Sequence, residues 1–122
     1  MKNAINWFEI PALNFTRATA FYQTVLGVTL QHHNMGGADM GFFPADHDGI
    51  GGAIVCGNDM QPASGGVLVY LNANPDLAAA LGRVEAAGGS IVVPKTQISP
   101  EFGFFAIVAD TEGNAVGLHS ST

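Results

Sequence analysis

The sequence holds a single cysteine, Cys56, and only four lysines and arginines. One cysteine excludes an internal disulfide and any metal cage built from several thiolates. Four basic residues stand against ten acidic ones, a net charge of −6. That balance leaves no electrostatic footprint for nucleic acid or an anionic membrane surface, and few cations to grip a phosphate. Charged residues of both signs make up 11% of the chain, less than half the usual ~25%. No apolar run approaches the ~18 residues of a membrane span. The opening stretch MKNAINWFEIP reaches Glu9 too soon to contain the apolar core of a secretion signal, so the expected compartment is the cytoplasm.

What is present is apolar. Hydrophobic residues are 48% of the 122 positions, which excludes disorder as the main state. The length suits one domain that buries roughly two-thirds of its unfolded surface.

The chain reads as one unit written twice. Asn14 opens NFTRATAFYQTVLG, and sixty residues later Asn74 opens NPDLAAALGRVEAAGG. The run GFFPADHDGIGGAIV from Gly41 returns as GFFAIVADTEGNAVGL from Gly103. Two landmarks repeating at about half the chain length give a first module at 1–56, a polar linker at 57–65 and a second module at 66–122. Each module reads strand, helix, then three strands. The predicted strands are 5–10, 28–33, 38–43, 51–55, 67–71, 90–93, 103–109 and 115–119. Asn14 caps the first helix, Phe15, Ala18, Tyr22 and Val25 form its buried stripe, and Gly27 stops it. In the second module Asn74 is the expected cap, Pro75 the first helical residue, and Leu77, Leu81 and Val84 the stripe. Residues 34–37, 46–49 and 110–114 supply turn chemistry.

A βαβββ unit duplicated in about 120 residues resembles the vicinal oxygen chelate superfamily, the glyoxalase/bleomycin resistance/dioxygenase fold. The segments that carry the likeness are WFEIPALNFTRATAFYQTVLG at 7–27 and DTEGNAVGLHS from Asp110, the latter similar to the family's terminal hairpin. Short bacterial proteins related to lactoylglutathione lyase are the nearest subgroup by this resemblance. It implies an α+β fold, a single glyoxalase-like domain over 1–122. Two βαβββ modules would form a curved, mostly antiparallel eight-stranded sheet with the helices outside. It also implies a divalent metal held by four side chains on the inner face. Those positions fall on Trp7, on Gly66–Val67–Leu68, on Gly117 and, through the internal repeat, on about Ala53. None of these coordinates a metal. The expectation is therefore no metal and no cofactor, and neither metal-dependent glyoxalase I chemistry nor extradiol ring cleavage.

The remaining polar residues divide by strand alternation. His32 and His33 are adjacent and point to opposite faces. His47 lies in the turn ADHDG, and Cys56 reads as a buried or strand-end thiol. Asp110, Asn114 and Asp46 read as hairpin organisers. Phe8 and Ile10 should face the core, which turns Trp7 and Glu9 to the concave face. The same alternation brings Leu68 and Tyr70 there. Glu9 among aromatic rings is a candidate acid/base, or the partner of a structural donor such as Tyr70. His119 shares a face with Gly117 and is a second catalytic candidate, or a strand-end histidine bonded to backbone or water. Glu101 overhangs the expected cavity mouth, or is a surface glutamate.

Three functions remain open. One is a metal-free, aromatic-lined cavity for a small organic molecule, with lyase or isomerase chemistry through Glu9 and His119, such as a proton shift beside a carbonyl. The second is a non-catalytic protein that sequesters a small molecule of drug type. The third is a domain that only associates. A homodimer is expected, because two lysines, Lys2 and Lys95, are too few to protect open sheet edges by charge. The resemblance implies pairing as well. Nothing suggests a nucleic-acid or membrane partner.

Overall fold

Asn14 and Gly27 bracket the first helix. The Asn14 side chain accepts from the Arg17 N–H, and Gly27 takes the left-handed conformation, φ 66°, that closes the last turn. The computed structural model describes residues 3–57 and 59–122. Its first module runs β1 (Trp7–Pro11), α1 (Phe15–Leu26), β2 (Gln31–Met35), β3 (Ala38–Phe42) and β4 (Gly51–Cys56). The second runs β5 (Tyr70–Asn72), α2 (Leu77–Leu81), β6 (Ser90–Ser99), β7 (Gly103–Ala109) and β8 (Ala115–Ser120). The fold is α+β, two βαβββ modules. The eight strands form two hydrogen-bonded sheets of four, ordered β1-β4-β3-β2 and β5-β8-β7-β6. In each, the first strand runs parallel to the last and the other pairings are antiparallel.

One face of each sheet packs into a shared core. Ile10, Phe21, Tyr22, Val25 and Ile54 of the first module meet Leu71, Leu77, Val84, Val108 and Leu118 of the second. The alternate residues, Trp7 and Glu9 on β1 and Tyr70 and Asn72 on β5, lie on the opposite, open faces.

Five expectations are corrected. The second helix is capped by Asp76, whose carboxylate accepts from the Ala78 N–H at 3.0 Å. Asn74 is occupied elsewhere, its side-chain oxygen taking the Ser121 N–H at 2.9 Å. The helix also ends at Leu81, and turns carry the chain on to a fully buried Val84. Strand β2 begins at Gln31 rather than 28, because Gln23 captures the exit from α1. Its backbone oxygen takes the Val28 N–H and its side-chain oxygen the Leu30 N–H. Strand β5 begins at Tyr70 rather than 67. In register Leu68 would face Ala115 and Val67 would face Asn114. Asn114 is fully engaged by Asp110, Pro11 and Ala63, and Val67 stands 92% exposed. Strand β6 extends to Ser99 through Pro94. It is an edge strand, and its pairing with β7 skips Pro94 and Lys95, so the missing proline N–H costs no ladder bond.

The second module holds both ends of α1. Glu112, in the turn between β7 and β8, accepts the Leu13 and Asn14 N–H groups at 2.9 and 2.8 Å and pairs with Arg17 at 2.6 Å. Arg83, just past α2, donates to the Thr24 and Val25 carbonyls at 3.0 and 2.7 Å. A carboxylate therefore meets the orphan amides of the helix start and a guanidinium the orphan carbonyls of its end, each matching the helix dipole. Of the two lysines considered as edge guards, Lys95 sits on β6, 4.6 Å over the Phe104 ring. Lys2 lies outside the described residues, as does Asn58 of the linker.

Candidate functional site

The open face of the first sheet is built on small residues. Ala38, Ala53 and Val55 are buried there, and Met40, Phe42 and the linker residue Met60 pack against them. Trp7 lies over Gly51, where an added methyl would meet the indole at 3.1 Å. Its ring meets Phe42 edge-on, with centroids 5.2 Å apart. His33 lies against the other reach of Phe42, at 4.4 Å. The result is an exposed aromatic wall, with Trp7 41% exposed. The indole N–H donates to Glu9 Oε2 at 3.2 Å. Glu9 is itself exposed and borders a groove of about 220 Å³ along the seam between modules, with Gln61, Val67, Ala115 and Val116.

The open face of the second sheet repeats the device. Tyr70 covers Gly117 so closely that a methyl there would fall 2.3 Å from the ring. Phe105 meets Tyr70 edge-on at 6.3 Å. Asn72 pairs in register with His119, which is half-buried. His119 Nε2 donates to the Phe102 carbonyl at 2.6 Å. Tyr70 and Asn72 also border a second groove, about 490 Å³, whose walls are Phe8, Val28, Phe43 and Leu71.

The candidate residues thus fall into two groups. Trp7 and Glu9 stand together on the first sheet; Tyr70 and His119 stand together on the second. The groove beside Glu9 includes neither His119 nor Tyr70. Leu68 precedes β5, 37% exposed, and Glu101 is exposed in the β6–β7 loop. His32 and His33 do point to opposite faces: His32 bonds Asp39 at 2.8 Å and stacks near Phe15. The Cys56 thiol lies 3.5 Å from the Leu13 carbonyl. His47 is exposed in a turn closed by a Gly49-to-Asp46 backbone bond. Asp110 and Asn114 organise the β7–β8 turn.

Alternation applied one step past Tyr70 would have identified Asn72, and alternation along β3 would have identified Phe42. Met60 had no such signal, since it comes from the linker. The metal that the fold implies does not fit these residues. Trp7 and Ala53 offer no donor on the first sheet, and the space a side chain at Gly117 would need is filled by the Tyr70 ring. Among the described residues no three His, Cys, Asp or Glu side chains converge.

Comparison with known proteins supplies the wider setting. Residues 4–118 match the family model described as the Glyoxalase/Bleomycin resistance protein/Dioxygenase superfamily. A glyoxalase/bleomycin resistance protein from Streptomyces sp. CB03234 is 22% identical, with a TM-score of 0.70 over 95% of this chain and 100% of that one. Another from Albidiferax ferrireducens T118 is 15% identical, with a TM-score of 0.73 over 95% and 97%. A fosfomycin resistance protein from Listeria monocytogenes is 16% identical, with a TM-score of 0.68 over 100% and 94%. No curated protein matches the chain. Identities this low carry the fold and nothing finer. Among the described residues no helix is long and apolar enough to cross a membrane.

Proposed function

The chain belongs to the Glyoxalase/Bleomycin resistance protein/Dioxygenase superfamily, and on that premise we propose that it captures a small planar organic molecule on its open sheet faces without a metal. The observation that carries this reading is the ring laid over glycine in both sheets, Trp7 on Gly51 and Tyr70 on Gly117. A ring that rests on a glycine lies close against backbone, which leaves its outer surface free for a ligand to stack on. Half-exposed aromatic rings have apolar area still to bury. The nearby polar groups, Glu9, Asn72 and His119, give orientation. A titration with indole, quinoline and 2-pyridone followed by NMR tests the reading. Shifts should concentrate on Trp7, Phe42, Tyr70 and His119. Shifts confined to the helices, or none at tens of millimolar, would overturn it.

A second reading keeps acid/base chemistry, and one feature favours it: Glu9 borders a groove, and among the described residues only its Oε2 accepts a bond, from Trp7. The other oxygen is then available to take a proton from a carbon beside a carbonyl and return it. Deuterium incorporation into hydroxyacetone in D₂O, lost in Glu9→Gln, is the expected result. Equal incorporation in the variant removes the reading.

A further inference from the structure

On the second sheet two polar side chains face the same way from neighbouring strands, and each has been fixed by a backbone group. Asn72 Oδ1 accepts the Asn74 N–H at 2.9 Å. That settles the orientation of the amide and leaves its Nδ2 group as the outward donor, with no acceptor among the described residues. His119 Nε2 lies 2.6 Å from the Phe102 carbonyl. A carbonyl only accepts, so in the neutral ring the proton is on Nε2 and Nδ1 is a bare acceptor. Asn72 and His119 are register partners on parallel strands. The register therefore puts a donor-bearing and an acceptor-bearing side chain on neighbouring strands of one face. Two residues along the same strands, Tyr70 over Gly117 supplies an apolar ring, 49% exposed.

We propose that Asn72, His119 and Tyr70 form a subsite for the edge of a cyclic amide or imide, a planar ring whose adjacent C=O and N–H match the Asn72 donor and the His119 acceptor. The inference rests on the small-molecule reading above and names the ligand class for the second sheet. An ionised carboxylate matches poorly: it accepts from Asn72 but has no proton for Nδ1, and it meets a chain of net charge −6. A hydrocarbon ring would use Tyr70 but leave both polar groups to water. A lactam satisfies all three.

The probes are 2-pyridone and N-methyl-2-pyridone, which differ in the one N–H the proposal assigns to His119. Binding is read from the His119 ring-nitrogen and Asn72 side-chain resonances of the full chain. N-methylation should weaken binding to the native chain about tenfold and cost nothing in His119→Phe, which has no acceptor to lose. Asn72→Ala should weaken both probes about equally, because both keep the carbonyl. Asn72 is exposed, and an unchanged urea midpoint shows that the variant is folded. An N-methyl penalty that is absent in the native chain, or equal in His119→Phe, overturns the subsite. If 2-pyridone moves only Trp7 and Phe42, the subsite falls and the small-molecule reading stands. If neither probe nor quinoline moves any open-face residue, the broader reading falls with it.

Discussion

Tyr22 and Asp110 meet inside the core, the phenol donating to Asp110 Oδ2 at 2.6 Å. The first belongs to the helix of one module and the second to the turn of the other. The same carboxylate also accepts from the Glu112 and Asn114 N–H groups and from the Asn114 side chain. Tyr22→Phe leaves Asp110 with three donors and should cost about 1–2 kcal/mol. Asp110→Ala strands all four donors and should cost at least ~3 kcal/mol. Urea unfolding measures both. Burial first, then the Asp110 charge and hydrogen bond, raise the Tyr22 phenol well above its ordinary value. A folded-state value above the unfolded one gives stability that is present below pH ~10 and lost as pH rises past it. Tyr22→Phe should accordingly be less sensitive to alkali than the native chain.

Glu112 predicts the acid limb. Burial alone would raise its carboxyl, but bonds from Arg17, the Asn14 N–H, Thr111 and the Leu13 N–H outweigh that and hold it at about 2. Its folded value is depressed, so its stabilisation is complete above the ordinary carboxylate value near 4.5 and is lost as pH falls from there towards 2. Glu112→Gln should flatten that part of the stability profile. At neutral pH Glu112→Ala should cost about 1–3 kcal/mol, because two amides at the start of α1 lose their acceptor. Arg17→Ala should cost clearly less than Glu112→Ala, since Arg17 is half-exposed and those amides keep Glu112. Equal losses for the two variants would show that the ion pair, rather than the capping of backbone, is what Glu112 contributes.

These two residues also show where the sequence was legible. Asn14 and Gly27 act on amides and carbonyls within a turn of themselves, so α1 was readable to its ends. The strand alternation that turned Trp7 and Glu9 one way and Phe8 and Ile10 the other is likewise local, as is the repeat that exposed the two βαβββ modules. What failed depended on distant partners. Asn74 resembles a helix cap until Ser121, 47 residues on, claims its oxygen. Residues 67 and 68 resemble a strand until Asn114 is found to be fully engaged. Glu112 reads as an ordinary turn glutamate, and nothing near it in sequence announces the helix start 98 residues earlier. On the candidate site, the faces of Trp7, Tyr70 and His119 followed from alternation. That Glu9 and His119 stand on different hydrogen-bonded sheets did not, because it is set by which strands pair across the whole chain.

Gly117 offers a test of the ring platform that does not touch the ring. A methyl at this position would lie 2.3 Å from Tyr70, and Tyr70 is exposed enough to swing aside. Gly117→Ala should therefore displace the ring from its contact with Phe105 and weaken stacking ligands about as much as Tyr70→Ala does. The stability cost should stay within ~1–2 kcal/mol, because the clash is relieved by a surface side chain rather than by backbone. Gly51→Ala should be milder, as the indole there lies 3.1 Å away. Tyr70 ring shifts and the urea midpoint together check this. A large stability loss with unmoved Tyr70 resonances would mean that the glycine serves the backbone and not the platform.

The surface of one chain predicts a second copy. Each sheet ends in strands paired on one side only, β1 and β2 in the first, β5 and β6 in the second. All five residues of β2 are exposed, and β6 carries Val92 and Ile98 at 59% and 48% exposure. Pro94 and Lys95 interrupt the β6 edge, but Lys95 turns back over Phe104 and offers little charge to repel another strand. Trp7 and Tyr70 add apolar area on the open faces, at 41% and 49% exposure, and Leu68 adds more just before β5, at 37%. A chain with 11% charged residues has few polar groups to cover so much, and pairing about a two-fold axis covers two such surfaces at once. Light scattering at micromolar concentration should give twice the 12.6 kDa of one chain. The interface should exceed ~1,000 Å² in total, the least that separates a stable pair from a packing contact. A mass of 12.6 kDa under those conditions would sink the dimer. The open faces would then be available to ligand in the single chain, and the affinity for 2-pyridone should not vary with protein concentration.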